Sequence, residues 1–337
     1  MQPRWGRHPD EGAAGPSSAP GGRGRHLSTR LVASDILRLV KSFSVDQAPP
    51  LPVRDRLPRM LSRLLDHLSG GHLLWMAYPI RVAPPRWGHG HAPHTALNAF
   101  LDSQRDDVAR TLETIVAHRE GLHQIAVEAG DGLHWNNIWF TGLDLAGLYA
   151  LIASRAPARY VEIGSGFSTR VARRAVTDSG ACTRIRSIDP APRVECDALC
   201  DEVIRAPLGD AGSAVFDDLA AGDVLFFDSS HQAFQNSDVT ILFLEVLPRL
   251  QPGVLIHIHD VWLPYDYPAR WQHRYYNEQY LLAIMLLAAP ERYQVLLPSR
   301  FVCEDPELSA MLAPLWNDPR MHGCNRHGGS FWFQVRR

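Results

Sequence analysis

Residues 160–166 read Tyr-Val-Glu-Ile-Gly-Ser-Gly and are the most informative segment of the chain. Its apolar, β-branched beginning is typical of a buried strand. Gly164 and Gly166 then allow a tight turn and a close approach of a ligand to the backbone. The following residues, 167–175, predict a helix whose first N–H groups face the same crevice. The stretch therefore predicts a strand, a glycine turn and a helix that form a site for a nucleotide-like ligand.

Three kinds of ligand site use such a turn. A phosphate-binding loop needs a Lys-Ser/Thr pair after a longer glycine loop, and this stretch has none. A dinucleotide-binding turn has a third glycine three residues after the second, where this chain has Thr169. The third kind has an acid two residues before the first glycine, and Glu162 fills that place. An ordinary strand–turn–helix unit without a ligand is the remaining alternative.

With Glu162 in that place, the stretch resembles the first motif of class I S-adenosylmethionine-dependent methyltransferases. The resemblance implies S-adenosylmethionine as the cofactor. It also implies cofactor-binding residues on the turn and at the ends of later strands. These are Glu162, Gly164, Ser165, Gly166, Asp189, Asp228 and Ser229.

Further segments predict the rest of a sheet. Strands are expected at 186–189, 203–208, 223–228 and 253–260, with helical segments between them, notably 239–250. This alternation predicts right-handed crossovers and a doubly wound sheet. Acids end several of these strands and would converge on one edge, where open sheets bind ligands. There, Asp189 would accept hydrogen bonds from the ribose hydroxyls of a nucleoside.

The last part of the chain extends the resemblance to residues 140–337. A helix is expected at 276–289 and two final strands at 293–297 and 330–335. The family implies an α/β fold with a seven-stranded, mostly parallel sheet that ends in an antiparallel hairpin. Within the family, the segments Asp228–His231 and His259–Asp260 look most like bacterial small-molecule O-methyltransferases related to the catechol type.

The residues before the sheet predict two further regions. Residues 1–26 are rich in Gly, Pro, Arg and Ser, which is typical of a disordered tail. Residues 27–139 predict a helical region, with amphipathic helices at 31–43, 59–68 and 109–127, that would serve as a lid, a substrate cap or a dimer contact. A loop in this region carries His89, His91 and His94; it is interpreted as a surface loop or a lid, with a transition-metal site as the weaker alternative.

Composition limits the partners. The 337 residues carry a formal net charge of −2, so no single-sign field favours nucleic acid or a membrane surface. No run of about 18 apolar residues is present to span a bilayer, and no apolar segment typical of a secretory signal follows the tail. The sequence therefore predicts a cytoplasmic protein whose main partner is neither nucleic acid nor a membrane, and the family resemblance implies a small-molecule substrate.

Methyl transfer to a hydroxyl requires removal of a proton, and His231 is the first candidate for the base. It follows Asp228 in Asp-Ser-Ser-His, where the catechol-type relatives have a lysine. A histidine with a pKa of roughly 6.5 is suited to this work near neutrality. The alternative is that His231 only caps a helix or bonds a loop.

A divalent metal is the second candidate. Asp228 and Asp260 could hold one, with His259 as a third ligand, as in the magnesium-dependent branch of the family. That branch has an asparagine after its second acid, whereas this chain has Val261. Strand alternation would also send His259 and Asp260 to opposite faces unless the strand has already ended. Base catalysis by His231, with Asp260 orienting the substrate, therefore stays equally open.

The loop after Asp260 is rich in aromatic and arginine residues, which suits a flat or sugar-like acceptor. The expected substrate-binding residues are Tyr265, Tyr267, Trp271 and Arg274. The same composition is equally typical of a packing loop or of a contact in a homodimer.

Three functions remain after these observations. The first hypothesis is an S-adenosylmethionine-dependent O-methyltransferase of secondary metabolism, acting on a natural-product or saccharide hydroxyl. The second is an NAD-dependent oxidoreductase, against which the missing third glycine and Glu162 argue. The third is a non-catalytic binding protein that retains the methyltransferase fold.

Overall fold

A seven-stranded sheet in the order β3-β2-β1-β4-β5-β7-β6 lies at the centre of the computed structural model, which describes residues 83–127 and 132–336. The strands are β1 (Arg159–Ile163), β2 (Arg184–Ile188), β3 (Glu202–Ile204), β4 (Val224–Phe227), β5 (Leu255–Ile258), β6 (Tyr293–Pro298) and β7 (Phe331–Val335). Strands β1 to β5 pair in parallel, and β7 lies antiparallel between β5 and β6. The predicted α/β fold with a mostly parallel seven-stranded sheet is confirmed.

Helices cover the sheet. They are α1 (Thr95–Asp102), α2 (Arg105–Ala117), α3 (Arg119–Val127), α4 (Gly142–Arg155), α5 (Phe167–Ser179), α6 (Leu208–Ala211), α7 (Asp238–Ile241), α8 (Glu278–Ala288), α9 (Ser299–Glu304), α10 (Pro306–Met311) and α11 (Ala313–Trp316). Every residue of β4 and β5 is buried, because helices cover both faces of a parallel sheet. This double burial explains the continuous apolar runs in the sequence.

Two helices differ from their predictions. The helix expected at 109–127 is broken at His118, where α2 ends; the ring Nδ1 of His118 lies 2.9 Å from the carbonyl oxygen of Thr114, which also accepts the backbone N–H of His118. The helix expected at 239–250 keeps α-helical geometry only to Ile241. A π-helical turn and a short 3-10 turn follow, and Pro248 in that last turn has no N–H to continue an α-helix.

Helix α2, although it precedes residue 140, contributes directly to the sheet's support. The side chain of Gln104, at its start, accepts a hydrogen bond from the backbone N–H of Val295 in β6, and Asp107 accepts one from Gln294.

The division of the chain at residue 140 stays a prediction. The predicted tail at 1–26 and the helices at 31–43 and 59–68 lie outside the described residues. Within the described ranges, no helix is long and apolar enough to cross a membrane.

Candidate active site

The glycine turn after β1 sits against the end of β4. Gly164 has φ +80°, and a Cβ atom there would lie only 1.8 Å from the carbonyl oxygen of Asp228. Its N–H donates to the carbonyl of Ile188 in β2, at 3.1 Å. The turn is thus fixed to both neighbouring strands, and only glycine fits at this position.

We expect Gly164→Ala to destabilise the protein by on the order of 3 kcal/mol, because the new methyl group collides with a backbone oxygen and the residue keeps a left-handed conformation. Gly209→Ala is the matched control, since Gly209 lies in helix α6 and its new Cβ would make only an ordinary contact, at 3.7 Å, with Ile241. Urea unfolding of both variants measures the difference. Equal stability of the two would show that Gly164 is not confined in this way.

Glu162 supports the turn from below. Its carboxyl group accepts hydrogen bonds from the hydroxyls of Tyr160 (3.2 Å), Ser168 (3.1 Å) and Thr169. Thr169 Oγ1 in turn accepts the N–H of Gly166 at 3.0 Å. Burial raises the pKa of Glu162 to about 8, against the opposing effect of the three hydroxyl groups. Direct binding of the cofactor by Glu162 stays a prediction.

Asp189 and Ser229 flank the turn from the neighbouring strands. The Asp189 carboxylate, just after β2, accepts the backbone N–H of Ser165 at 2.8 Å and that of Ala191 at 2.8 Å. Asp189 is only half-buried, so an edge of it faces solvent. The hydroxyl of Ser229 is buried and has no hydrogen-bond partner. The binding of the cofactor by these two residues stays a prediction.

Asp228, His259 and Asp260 come together at the carboxyl ends of β4 and β5. One ligand atom from each lies within 4.8 Å of the others. His259 Nδ1 is 3.4 Å from Asp228 Oδ1 and 3.7 Å from Asp260 Oδ1. Strand β5 ends at Ile258 and Asp260 has φ +58°, so strand alternation no longer applies to these residues. His259 and Asp260 can therefore face the same site, although they are consecutive residues.

His231 lies beside the same acids in a left-handed backbone conformation, with φ +59°. Its Nε2 is 3.1 Å from Asp228 Oδ1 and 3.7 Å from Asp260 Oδ2, while its Nδ1 donates to Glu278. Burial lowers the pKa of His231, but the charge of Glu278 and the hydrogen bonds to Asp228 and Glu278 outweigh it and raise the pKa well above its usual value. The raised pKa disfavours His231 as a general base, and its role as the base stays a prediction.

Two acids of this site were not predicted from the sequence. Asp144, in the first turn of α4, is 3.3 Å from His259 Nε2 through its Oδ2. Glu278, in the first turn of α8, is fully buried and binds His231. An acid in a helix's first turn is common, since it interacts favourably with the helix dipole, so neither residue carried a distinctive signal.

These residues form what we call the acidic cluster: Asp144, Asp228, Asp260, Glu278, His231 and His259. Carboxyl groups outnumber imidazoles in it, and burial raises the pKa of both Asp260 and Glu278. The charge of His259 and the hydrogen bond of His231 hold the pKa of Asp228 well below its usual range although burial opposes this. Carboxylate oxygens with an imidazole nitrogen suit a divalent cation such as Mn²⁺.

Three of the four expected substrate-binding residues lie close to the acidic cluster. The ring of Tyr276 is 4.3 Å from that of His231, centroid to centroid. Tyr267 and Trp271 pack on Tyr276 at 5.9 and 5.7 Å, and the guanidinium of Arg274 lies 4.4 Å from the Trp271 ring centre. Tyr276 itself was not singled out from the sequence.

Tyr265 faces another part of the molecule, where it packs against the backbone of Gly88. Tyr265 therefore does not lie with Tyr267, Trp271 and Arg274. The loop of Gly88 carries His89, whose Nε2 bonds the carbonyl of Asp266 at 2.9 Å, and His94, whose Nδ1 accepts the N–H of Leu97 at 3.3 Å. These two hydrogen bonds hold the loop in place, and its role as a surface loop, a lid or a metal site stays a prediction.

Comparisons with known proteins agree with the fold. Residues 161–261 match a family model described as a methyltransferase domain. Among curated proteins, none matches the chain.

Several solved structures are distantly similar. One, described as "cmcI-D160 Mg-SAM", is 12% identical with a TM-score of 0.36. The match covers 64% of this chain and 84% of the chain in that structure. The methyltransferase PaMTH1 of Podospora anserina, bound to SAH, is 14% identical with a TM-score of 0.35. The match covers 86% of this chain and 100% of PaMTH1. An O-methyltransferase from Bacillus cereus, in complex with SAH, is 13% identical with a TM-score of 0.30. The match covers 68% of this chain and 91% of the Bacillus cereus protein.

The matched segment begins within β1 and ends just after Asp260, so it contains the glycine turn and most of the acidic cluster. It also contains β2 to β5, the parallel part of the sheet. The segment that matches the methyltransferase domain therefore holds the motif at the end of β1 and the parallel part of the sheet.

Proposed function

We propose that this methyltransferase acts on a hydroxyl group of a small natural product or saccharide, and that Asp228, His259 and Asp260 hold a divalent cation for the reaction. The observation that carries the proposal is the position of these three residues. They meet at one point directly beside the glycine turn, since Gly164 abuts the carbonyl oxygen of Asp228. The donor and acceptor halves of a methyl-transfer site would therefore adjoin.

The residues present fit such a cation. His259 Nδ1 is buried, has no hydrogen-bond partner and points toward two carboxylates. When bound there, a divalent cation would supply Lewis acidity to an acceptor hydroxyl and lower its pKa. The imidazole in the donor set favours Mn²⁺, Zn²⁺ or Fe²⁺ over Mg²⁺.

The other residues would orient the reactants. Methyl transfer from a sulfonium is an in-line displacement, so donor carbon and acceptor oxygen must be held near contact. Protonated His231, fixed by Glu278, would keep the Asp228 carboxylate in one orientation. Tyr267, Trp271 and Arg274, grouped around Tyr276, would stack on the acceptor and bond its polar groups.

We expect the purified protein to bind S-adenosylmethionine but not NAD in titration calorimetry, and to methylate a member of a panel of small catechols and sugars. EDTA should abolish the methylation and Mn²⁺ should restore it, because the acceptor hydroxyl then regains its acidifying ligand. No binding of S-adenosylmethionine would refute the proposal. Full activity in EDTA would instead favour metal-free catalysis with His231 as the base.

A further inference from the structure

Asp144 is buried at the start of α4 and is tightly held. Its carboxylate accepts the backbone N–H of Gly329, whose nitrogen is 3.0 Å from Oδ1 and 2.8 Å from Oδ2. Oδ1 also accepts the backbone N–H of Ser330 at 2.7 Å. A Cβ atom on Gly328 would come within 2.5 Å of Asp144 Oδ1. Hydrogen bonds and close packing thus leave the carboxylate in one orientation.

In that orientation, Asp144 Oδ2 lies 3.3 Å from Nε2 of His259. The other ring nitrogen of His259, Nδ1, has no hydrogen-bond partner and faces Asp228 and Asp260. A neutral imidazole has one N–H and one lone pair. A carboxylate at Nε2 favours the N–H there and leaves the lone pair on Nδ1.

We propose that Asp144 is a positioning residue, which keeps the proton of His259 on Nε2 so that Nδ1 can bind the divalent cation. The inference rests on the metal site of the proposed function and adds a residue from a helix outside the matched segment. Asp144 does not touch the cation. It acts through His259, as carboxylates behind metal-bound histidines commonly do.

Asp144→Asn tests this directly. The amide oxygen would still accept the N–H groups of Gly329 and Ser330, so the amide nitrogen would face His259 and donate to Nε2. The His259 proton would then move to Nδ1 and block the cation. We expect the dissociation constant for Mn²⁺, measured from the spin-resonance signal of free Mn²⁺ without cofactor or acceptor, to rise 10- to 100-fold.

Asp223→Asn is the matched control. Asp223 is also buried and also accepts two backbone N–H groups, those of Arg159 and Ala220, but it lies at the opposite, amino end of β4. Its substitution makes the same change of charge and should leave Mn²⁺ affinity within about twofold of the wild type, a margin that corresponds to about 0.4 kcal/mol. Gly328→Ala is a second variant, which displaces the Asp144 carboxylate without changing its charge and should also weaken Mn²⁺ binding.

Nitrogen-15 spectra of His259 in the Zn²⁺-loaded wild type give an independent measurement, and Nε2 should carry the proton. A proton on Nδ1, or unchanged Mn²⁺ affinity in both Asp144→Asn and Gly328→Ala, would overturn the role of Asp144 alone. A wild-type protein that binds no Mn²⁺ would overturn the metal site itself and this inference with it. Cofactor binding, measured separately, is independent of both outcomes.

Discussion

Replacing Asp260 with asparagine is expected to lower the rate of methyl transfer about a thousandfold. The substitution removes one of the two carboxylates that would hold the cation, whose stabilisation of developing charge is worth several kcal/mol, and about 1.4 kcal/mol corresponds to a tenfold rate change. The backbone should tolerate the change, because asparagine, like aspartate, adopts the left-handed conformation that Asp260 has, with φ +58°.

The measurement is the rate of S-adenosylhomocysteine formation at saturating Mn²⁺, with an acceptor that the wild type methylates. Affinity for S-adenosylmethionine should stay within about threefold, or about 0.7 kcal/mol, of the wild type, because the proposed role of Asp260 is toward the cation and the acceptor. Asp223→Asn serves again as the buried-aspartate control. A variant that keeps most of its activity would remove Asp260 from the reaction and return His231 to consideration as the base.

Replacing Glu162 with glutamine is expected to make stability less dependent on pH. Burial raises the pKa of Glu162 from about 4.5 to about 8, so the folded chain holds this proton more tightly than the unfolded chain. A raised pKa contributes stability that is fully present below the unfolded value and is lost as the pH rises through the folded value. Since one pKa unit corresponds to about 1.4 kcal/mol, the loss between pH 4.5 and 8 is on the order of 5 kcal/mol.

Glutamine has no such proton to lose, and its amide can still accept the hydroxyl of Thr169. Urea unfolding at pH 5, 6.5, 8 and 9 should therefore show that the free energy of unfolding of Glu162→Gln rises relative to that of the wild type up to pH 8. Above pH 8 the difference should stay constant. Glu245→Gln, at an exposed position, is the matched control. A constant difference between wild type and Glu162→Gln across this range would contradict the buried, protonated state of Glu162.

The sheet could be predicted because its signals are local. Strands β1, β4 and β5 are short, mainly apolar runs, and the acids or glycines that end β1, β2, β4 and β5 lie next to their strands in the sequence. The carboxyl ends of parallel strands meet at one edge, so the approach of Asp228 and Asp260 to each other followed from topology.

The rest of the site depends on long-range contacts that no sequence pattern marks. Asp144 and His259 are far apart in the chain, and only the packing of α4 against the segment before β7 brings them together. Whether His259 and Asp260 share a site was decided by the single residue at which β5 ends, which apolar periodicity does not determine. The charge state of His231 depends on Glu278, a residue that looked like an ordinary helix start.

The position of β7 has a consequence for biosynthesis. This strand lies between β5 and β6, and the residues just before it hold Asp144 through the N–H groups of Gly329 and Ser330. On the ribosome, the glycine turn and strands β1 to β5 emerge long before these residues do. The glycine turn and the proposed metal ligands Asp228, His259 and Asp260 are therefore synthesised first, whereas the contacts that hold Asp144 beside His259 must wait for residues 329 and 330.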